Sequence, residues 1–146
     1  MIQDSTIKQE VQEEWDGVRA FQLRIQAHLN VSSGIGSTGA THQLRNISHN
    51  LTLLFAFSVL EKTLKQLRDE GLFQEKYSGL KKLMHSSKKV LPWQDFLLID
   101  KAREDRNKVA HQQEILERAE CWKYIDGIEN ELVSWKVVVN PKPFNH

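Results

Sequence analysis

The sequence predicts an all-α fold, an up-and-down bundle of four long helices plus one short helix, formed by a single domain over residues 1–146. Only three prolines and seven glycines occur, and they cluster, so long segments of the chain are uninterrupted. In those segments apolar residues recur every three or four positions, the period of one helix face. Alternation typical of a strand is confined to Val137–Val139, within a C-terminal tail (about 137–146) that two prolines predict to be irregular.

The first two helices are the longest predicted elements. Helix 1 opens near Asp4 or Ser5, both good N-caps, and ends at Asn30, before the Gly/Ser-rich loop VSSGIGSTGATH. Helix 2 runs from about 43 to 70 and stops at Gly71, a natural C-cap. Its middle, LTLLFAFSVLEKTLKQL, is apolar on nearly all sides, which predicts a helix central to the bundle. The apolar face of helix 1 consists of Ile7, Val11, Trp15, Val18, Phe21, Ile25 and Leu29.

Three further helices complete the predicted bundle. Helix 3 is short, from about 72 to 84, with Phe73, Tyr77, Leu80 and Met84 in step. Helix 4 starts at Pro92, because proline suits a first helical turn, and continues to about Ala110. The segment QQEI loosens the chain before helix 5, whose apolar face is Leu116, Ala119, Trp122, Ile125, Ile128, Leu132 and Trp135.

Composition excludes several classes of protein. The net charge is only +1, so any polyanion would have to bind at local basic patches. The single cysteine, Cys121, excludes an internal disulfide and fits a reducing compartment. The N-terminus has no signal-peptide core, and the longest apolar run, Leu51–Leu60, is too short to span a bilayer. These features predict a soluble cytoplasmic protein that does not enter a membrane.

Two motif-like patterns have simpler interpretations. GIGSTG, residues 34–39, matches G-x-G-x-x-G, but it follows a long amphipathic helix rather than a strand, so an interhelical loop is the better interpretation. His42 and His49 share a helix face without Cys, Asp or Glu at ligand spacing. Solvated or capping histidines are therefore expected, and no metal site is predicted.

The segment RNKVAH, residues 106–111, has two interpretations. Basic residues near a helix C-terminus interact favourably with the macrodipole, which would make this an ordinary helix end. Yet no carboxylate of the same helix can neutralise Arg106. Arg103, in contrast, follows Asp100 by three residues and is predicted to form a structural ion pair. The residues three or four positions from Arg106 are Ala102, Arg103, Val109 and Ala110.

Helix geometry separates the two functional groups of this segment. At about 100° per residue, Arg106 and His111 point roughly 140° apart on a continuous helix. Either the helix breaks at His111, or two copies of the segment meet across a two-fold axis and each supplies part of one site.

Arg106, Asn107 and His111 resemble the motif of the HEPN domain family (higher eukaryote and prokaryote nucleotide-binding). That motif is an arginine, often followed by Asn, Asp or His, and then a histidine, with four to six residues between arginine and histidine. The context is also similar, because the family is an all-α bundle with its motif near the end of the penultimate helix. Glu61 and Lys65 resemble the acidic and basic residues of an earlier family helix, so the likeness in organisation spans most of the chain.

The resemblance implies a metal-independent ribonuclease without a cofactor, active as a homodimer with both motifs lining one cleft. The ribose 2′-hydroxyl attacks the adjacent phosphate, so the substrate is RNA and the product a 2′,3′-cyclic phosphate. In this scheme His111 transfers the proton. Arg106 holds the phosphate and its developing charge, and Asn107 orients the imidazole or the phosphate.

Other residues are candidates for supporting roles. Glu61 and Arg103 could contact the catalytic groups without touching RNA, although an exposed ion pair with Lys65 is the expected interpretation of Glu61. Four lysines before helix 4 could supply a local positive field for RNA, or they could form a solvated basic loop. These are Lys81, Lys82, Lys88 and Lys89.

Regulation and rival functions stay open at the level of sequence. Many HEPN proteins are toxins held in check by a nucleotidyltransferase-type antitoxin, and in some a tyrosine two residues after the histidine is modified. This chain has Gln113 there, which argues against regulation by modification at that position but not against nuclease chemistry. One alternative is a non-catalytic dimeric module that binds nucleotides or proteins. Another is a structural subunit whose Arg106 pairs with an acidic group of its partner.

Overall fold

A computed structural model describes residues 1–32, 39–112 and 115–139, with side chains at 1–27, 44, 46–109 and 115–139. The described residues form five helices and no strand, which confirms the all-α prediction. The helices are α1 Ser5–Ser32, α2 Gly39–Asp69, α3 Leu80–Ser87, α4 Phe96–Gln112 and α5 Arg118–Ser134.

Helix α2 lies at the centre of the fold, as its apolar middle predicts, because it packs against each of the other four helices. Helix α4 also packs against α3 and α5. Large apolar side chains from α1, α2, α4 and α5 are fully buried between these helices, among them Trp15, Phe57, Leu60, Ile99 and Ile125. No helix within the described ranges has both the length and the apolarity needed to cross a membrane.

The first helix starts where the sequence predicts it. The Oδ1 atom of Asp4 accepts the backbone N–H groups of Thr6 (2.9 Å) and Ile7 (3.2 Å), so Asp4 is the N-cap of α1. Helix α1 continues to Ser32 and α2 begins at Gly39, so both helices extend into the predicted loop. The GIGSTG segment lies outside the described residues apart from Gly39.

The predicted third helix is wrong over its first half. Helix α2 ends in a Schellman motif, in which Gly71 takes a φ of 86° and the N–H of Leu72 donates to the carbonyl of Leu67 at 3.0 Å. The chain then runs without helix until Leu80, where α3 begins.

Side chains fix this non-helical connection. Glu75 accepts the backbone N–H of Tyr77 at 3.1 Å and the hydroxyl of Ser86. Arg68 donates to the carbonyl of Tyr77 at 3.1 Å. Because these bonds occupy the backbone groups of a turn, the helical spacing of Phe73 and Tyr77 does not produce a helix there.

The predicted start of the fourth helix is also wrong, because α4 begins at Phe96 rather than at Pro92. Asp95 is its N-cap, accepting the N–H of Leu98 at 3.1 Å. The buried carboxylate of Glu131, on α5, accepts the N–H groups of Gln94 (2.7 and 2.8 Å) and Asp95 (2.8 Å). This partner is 36 residues away from Asp95 along the chain, so nothing near Pro92 indicates it.

The end of the described chain is irregular, as predicted, but it is packed. Lys136 takes a φ of 58°, and the N–H of Val137 donates to the carbonyl of Leu132 at 2.9 Å. Val137 and Val138 are buried, and the N–H of Val139 donates to a side chain of α1. Val137–Val139 therefore form no strand, and residues 140–146 lie outside the described residues.

Candidate functional site

Helix α4 holds Arg106 against α2. The guanidinium carbon of Arg106 lies 5.3 Å from the ring centre of Phe57, which is fully buried in α2. One edge of the guanidinium donates from Nη2 to Oδ1 of Asn107 at 3.1 Å. The aromatic ring therefore supports one face of the cation, and Asn107 fixes its rotation.

Arg106 carries its charge without an ion pair among the described side chains. Burial lowers the pKa of Arg106, Glu61 on α2 raises it, and Arg103 lowers it further. Glu61 itself is paired with Lys65 at 3.2 Å, as its spacing predicts. An arginine has five N–H donors, and within the described part only Asn107 accepts one of those of Arg106. The guanidinium is thus half-buried, charged, and provided with donors that an anion could use.

The acidic groups of α4 near Arg106 are engaged elsewhere. Asp100 accepts the guanidinium of the buried Arg103 at 2.9 and 3.0 Å, which confirms the predicted structural ion pair. Asp105 accepts the hydroxyl of Tyr124, on α5, at 2.6 Å. Burial, followed by this bond, raises the pKa of the Tyr124 hydroxyl. Neither carboxylate is therefore directed at Arg106.

Helix α4 continues through His111 to Gln112, so the break considered at His111 does not occur. The side chain of His111 lies outside the described residues. The backbone alone separates residues 106 and 111 by about 7.5 Å along the helix and roughly 140° around it. Positions 106 and 111 of one chain therefore lie on different sides of the helix.

The four lysines considered for RNA binding are all exposed, and Lys88 is the one with a described contact to α4. Lys88 places its Nζ atom 4.6 Å from the ring centre of Phe96, the first residue of α4. His85 lies against the same ring at 5.3 Å. Phe96 precedes Arg106 by ten residues, or about 15 Å of helix. Lys88 and Arg106 could therefore contact one RNA strand only at different phosphates.

The remaining lysines are placed differently. Lys81 and Lys82 belong to α3, and Lys89 follows it. The charge of Lys82 acts on Glu75, in the connection between α2 and α3. Lys88 therefore contacts the first residue of α4, and Lys82 lies near the carboxylate of Glu75.

Phe57 is the contact of Arg106 that sequence reasoning missed. It precedes Glu61 by four residues and so lies on the same face of α2. Glu61 is a candidate because of its charge, and helical spacing from Glu61 would also have pointed to Phe57. No local pattern shows that α4 crosses α2 at this level.

Two other features lie apart from Arg106. A groove of about 520 Å³ between α4 and α5 is lined by Leu98 and Trp122, with Lys123, Asp126 and Asn130 among its polar groups, but not by Arg106 or Asn107. His49, expected to be solvated or capping, is instead buried with its ring 5.5 Å from that of Trp122. The side chain of His42 lies outside the described residues.

Comparison of the chain with protein-family models, curated proteins and solved structures returned no match. The resemblance to the HEPN family therefore depends on the residues of α4 and on their helical context.

Proposed function

We propose that this protein is a metal-independent endoribonuclease of the HEPN type, with a composite site at the interface of a homodimer. The observation that carries the proposal is the state of Arg106. It is half-buried on Phe57, bonded to Asn107, and without an ion pair in the described part of the chain. A structural arginine in such a place would be expected to have a carboxylate partner.

The chemistry follows from the three residue types. A ribose 2′-oxygen attacks the adjacent phosphorus, and His111 accepts the proton of the 2′-hydroxyl. The bond from phosphorus to the 5′-oxygen breaks, and that oxygen takes up a proton from water as it leaves. The charge that develops on the non-bridging oxygens is held by Arg106. The Oδ1 atom of Asn107 accepts a hydrogen bond from Arg106. The side-chain N–H groups of Asn107 therefore stay available to donate to the phosphate.

A homodimer would overcome the angular separation of positions 106 and 111 around α4. A two-fold axis beside α4 would let Arg106 of one subunit and His111 of the other act on one phosphate. In this proposal the four longer helices form an up-and-down bundle, and the short α3 carries lysines that contact RNA away from the cleavage point.

The proposed biological role is that of a toxin in a toxin–antitoxin or defence system, acting on cytoplasmic RNA. A nucleotidyltransferase-type antitoxin would then be the partner that restrains it. Co-expression with such a protein encoded next to it should give a stable complex in which RNA cleavage is suppressed.

The nuclease proposal is tested by incubating purified protein with RNA in excess EDTA. We expect products ending in a 2′,3′-cyclic phosphate, detected by mass spectrometry. Arg106→Ala and His111→Ala should each lower the rate at least about 100-fold, because each removes a group that acts on the transition state. Arg106→Lys should also be impaired, since lysine cannot present two parallel donors.

Lys108→Ala is the matched control, because Lys108 is an exposed cation of the same helix. It should cleave at the wild-type rate. Cleavage that persists in both Arg106→Ala and His111→Ala would contradict the proposal. Nucleotide binding without cleavage by the wild type would favour the non-catalytic module. A marked loss of stability or of the dimer in Arg106→Ala would favour the structural subunit.

A further inference from the structure

Helix α2 presents apolar side chains to solvent along one face. Leu44, Ile47, Leu51 and Phe55 are 54%, 43%, 53% and 42% exposed, and we call these four residues the α2 stripe. From Asn46 to Leu60 the sequence contains no Asp, Glu, Lys or Arg. Part of the apolar surface of α2 therefore faces solvent instead of the core. An uncharged solvent-facing helix over four turns is typical of a covered surface.

Helix α1 extends this surface. A Cβ atom at Gly17 would lie 3.9 Å from the ring of Phe55, so α1 passes beside the stripe at this level. Phe21, one turn further along α1, is 46% exposed although its spacing predicts a core position. The stripe and Phe21 therefore belong to one face of the α1–α2 pair.

The exposed apolar area of this face supplies most of what a small specific interface needs. A half-exposed large apolar side chain offers on the order of 80–100 Å², since a whole aromatic side chain buries 150–250 Å². Five such side chains give about 400–500 Å² per subunit, or about 800–1,000 Å² over two subunits. That is close to the lower limit of about 1,000 Å² for a specific interface, which the polar rim around the stripe would complete.

The spacing of the exposed positions on α2 indicates what covers them. Leu44, Ile47, Leu51, Phe55 and the exposed Ser58 are separated by three, four, four and three residues, so the pattern is symmetric about Leu51. Two antiparallel copies of α2 crossing at Leu51 would place Ile47 of each against Phe55 of the other, and Leu44 against Ser58. Such self-complementarity is the property of an isologous interface.

We propose that a second copy of this chain docks on the α2 stripe, with Leu51 at the two-fold axis. The inference deepens the homodimer that the proposed function requires and rests on it. Arg106 lies beside Phe57 of α2. The side chain of Asn50, also on α2, forms two hydrogen bonds with the backbone of Leu116, which follows α4 in the chain. The last turn of α4 therefore lies near the level of Leu51. An axis at this level brings the ends of both α4 helices, and with them residues 106–111, to the same side of the dimer.

Disulfide trapping tests this geometry. A cysteine on a two-fold axis faces its own copy, so Leu51→Cys should form an intermolecular disulfide in most of the protein under mild oxidation. Leu44→Cys and Ser58→Cys should not do so separately, but a mixture of the two should. Leu97→Cys, on the outer face of α4 and 75% exposed, is the control and should stay unlinked. Cys121 does not interfere, because it is buried and burial raises the pKa of its thiol to about 12.

Analytical ultracentrifugation of Leu51→Glu gives an independent measurement. Two carboxylates meeting at the axis should weaken dimerisation at least about 100-fold, whereas Leu97→Glu should remain dimeric. A Leu51→Glu variant that stays dimeric, with no disulfide at position 51, would overturn the interface. It would leave the nuclease proposal standing if cleavage still depends on Arg106.

The reverse results are equally informative. Trapping at position 51 without any RNA cleavage would support the interface and contradict the nuclease. A wild type that is monomeric at all concentrations, or that binds lipid vesicles through the stripe instead, would overturn the interface and the composite site together.

Discussion

Two arginines of this protein show how side-chain surroundings separate a structural cation from a functional candidate. Arg19, on α1, is buried and donates to Asp126 (2.9 Å), Glu129 (2.7 Å) and Gln22 (2.8 Å). Arg106 contacts the ring of Phe57 and the amide of Asn107, and it has no ion pair among the described side chains. A buried charge is tolerated when carboxylates and hydrogen bonds compensate it. Arg19 therefore ties α1 to α5, and Arg106 is the one suited to an external anion.

Replacing Arg19 should be costly. Arg19→Met leaves the partly buried carboxylate of Glu129 without its cation, so we expect the free energy of unfolding to fall by about 3–5 kcal/mol. Lys62→Met is the control, because Lys62 also binds two carboxylates of α1, Glu10 and Glu14, but at a more exposed position. It should cost less than about 1 kcal/mol. Urea denaturation measures both, and equal losses would contradict the distinction.

Among the helices, α4 has its start held by a residue distant in the chain. Asp95 caps its first turn, and Glu131 of α5 binds the two N–H groups just before it. Burial raises the pKa of Glu131, and the N–H groups of Gln94 and Asp95 lower it, with burial the larger effect. This carboxyl fixes the position from which α4 carries Arg106 towards α2.

The pH dependence of this cap has a definite sign. A carboxyl whose folded-state pKa is raised contributes stability that is fully present below its ordinary pKa of about 4.3 and lost as pH rises through the folded pKa. Glu131→Gln should lower the free energy of unfolding by about 1–3 kcal/mol, since one backbone donor loses its acceptor. The difference between wild type and variant should shrink as pH rises above about 4.3, the ordinary pKa of a glutamate side chain. Denaturation at several pH values checks this, and a difference that grows with pH would mean that the N–H groups outweigh burial.

For the whole molecule, α2 is the helix on which all the others depend. Its side chains are buried against four helices, while its stripe stays exposed. Loss of packing on its inner face should therefore weaken the entire bundle rather than one helix.

Leu60→Ala tests this cooperativity. Leu60 is fully buried, so its truncation should cost about 2–5 kcal/mol through lost contacts and a residual cavity. Circular dichroism and the fluorescence of the buried Trp15 and Trp135 should report the same shifted transition. Leu97→Ala, at a 75% exposed position, should change stability by less than about 0.5 kcal/mol. Separate transitions for the two probes would contradict a cooperative bundle.

The sequence by itself determined what depends on neighbours within a few residues. It predicted the helical class, the Asp4 cap, the stop at Gly71, and the ion pairs Arg103–Asp100 and Glu61–Lys65, because helix periodicity places such partners side by side. It also singled out Arg106, as a cation with no carboxylate three or four residues away on its own helix.

Only the tertiary structure decided what depends on residues far apart in the chain. The ring of Phe57 beneath Arg106, the Glu131 cap that delays α4 to Phe96, and the burial of Arg19 all join different helices. The exposure of one face of an apolar α2 belongs with them. Periodicity shows that a face is apolar, but which neighbour covers it is set by how the helices pack, since hydrophobic burial has no direction along the chain.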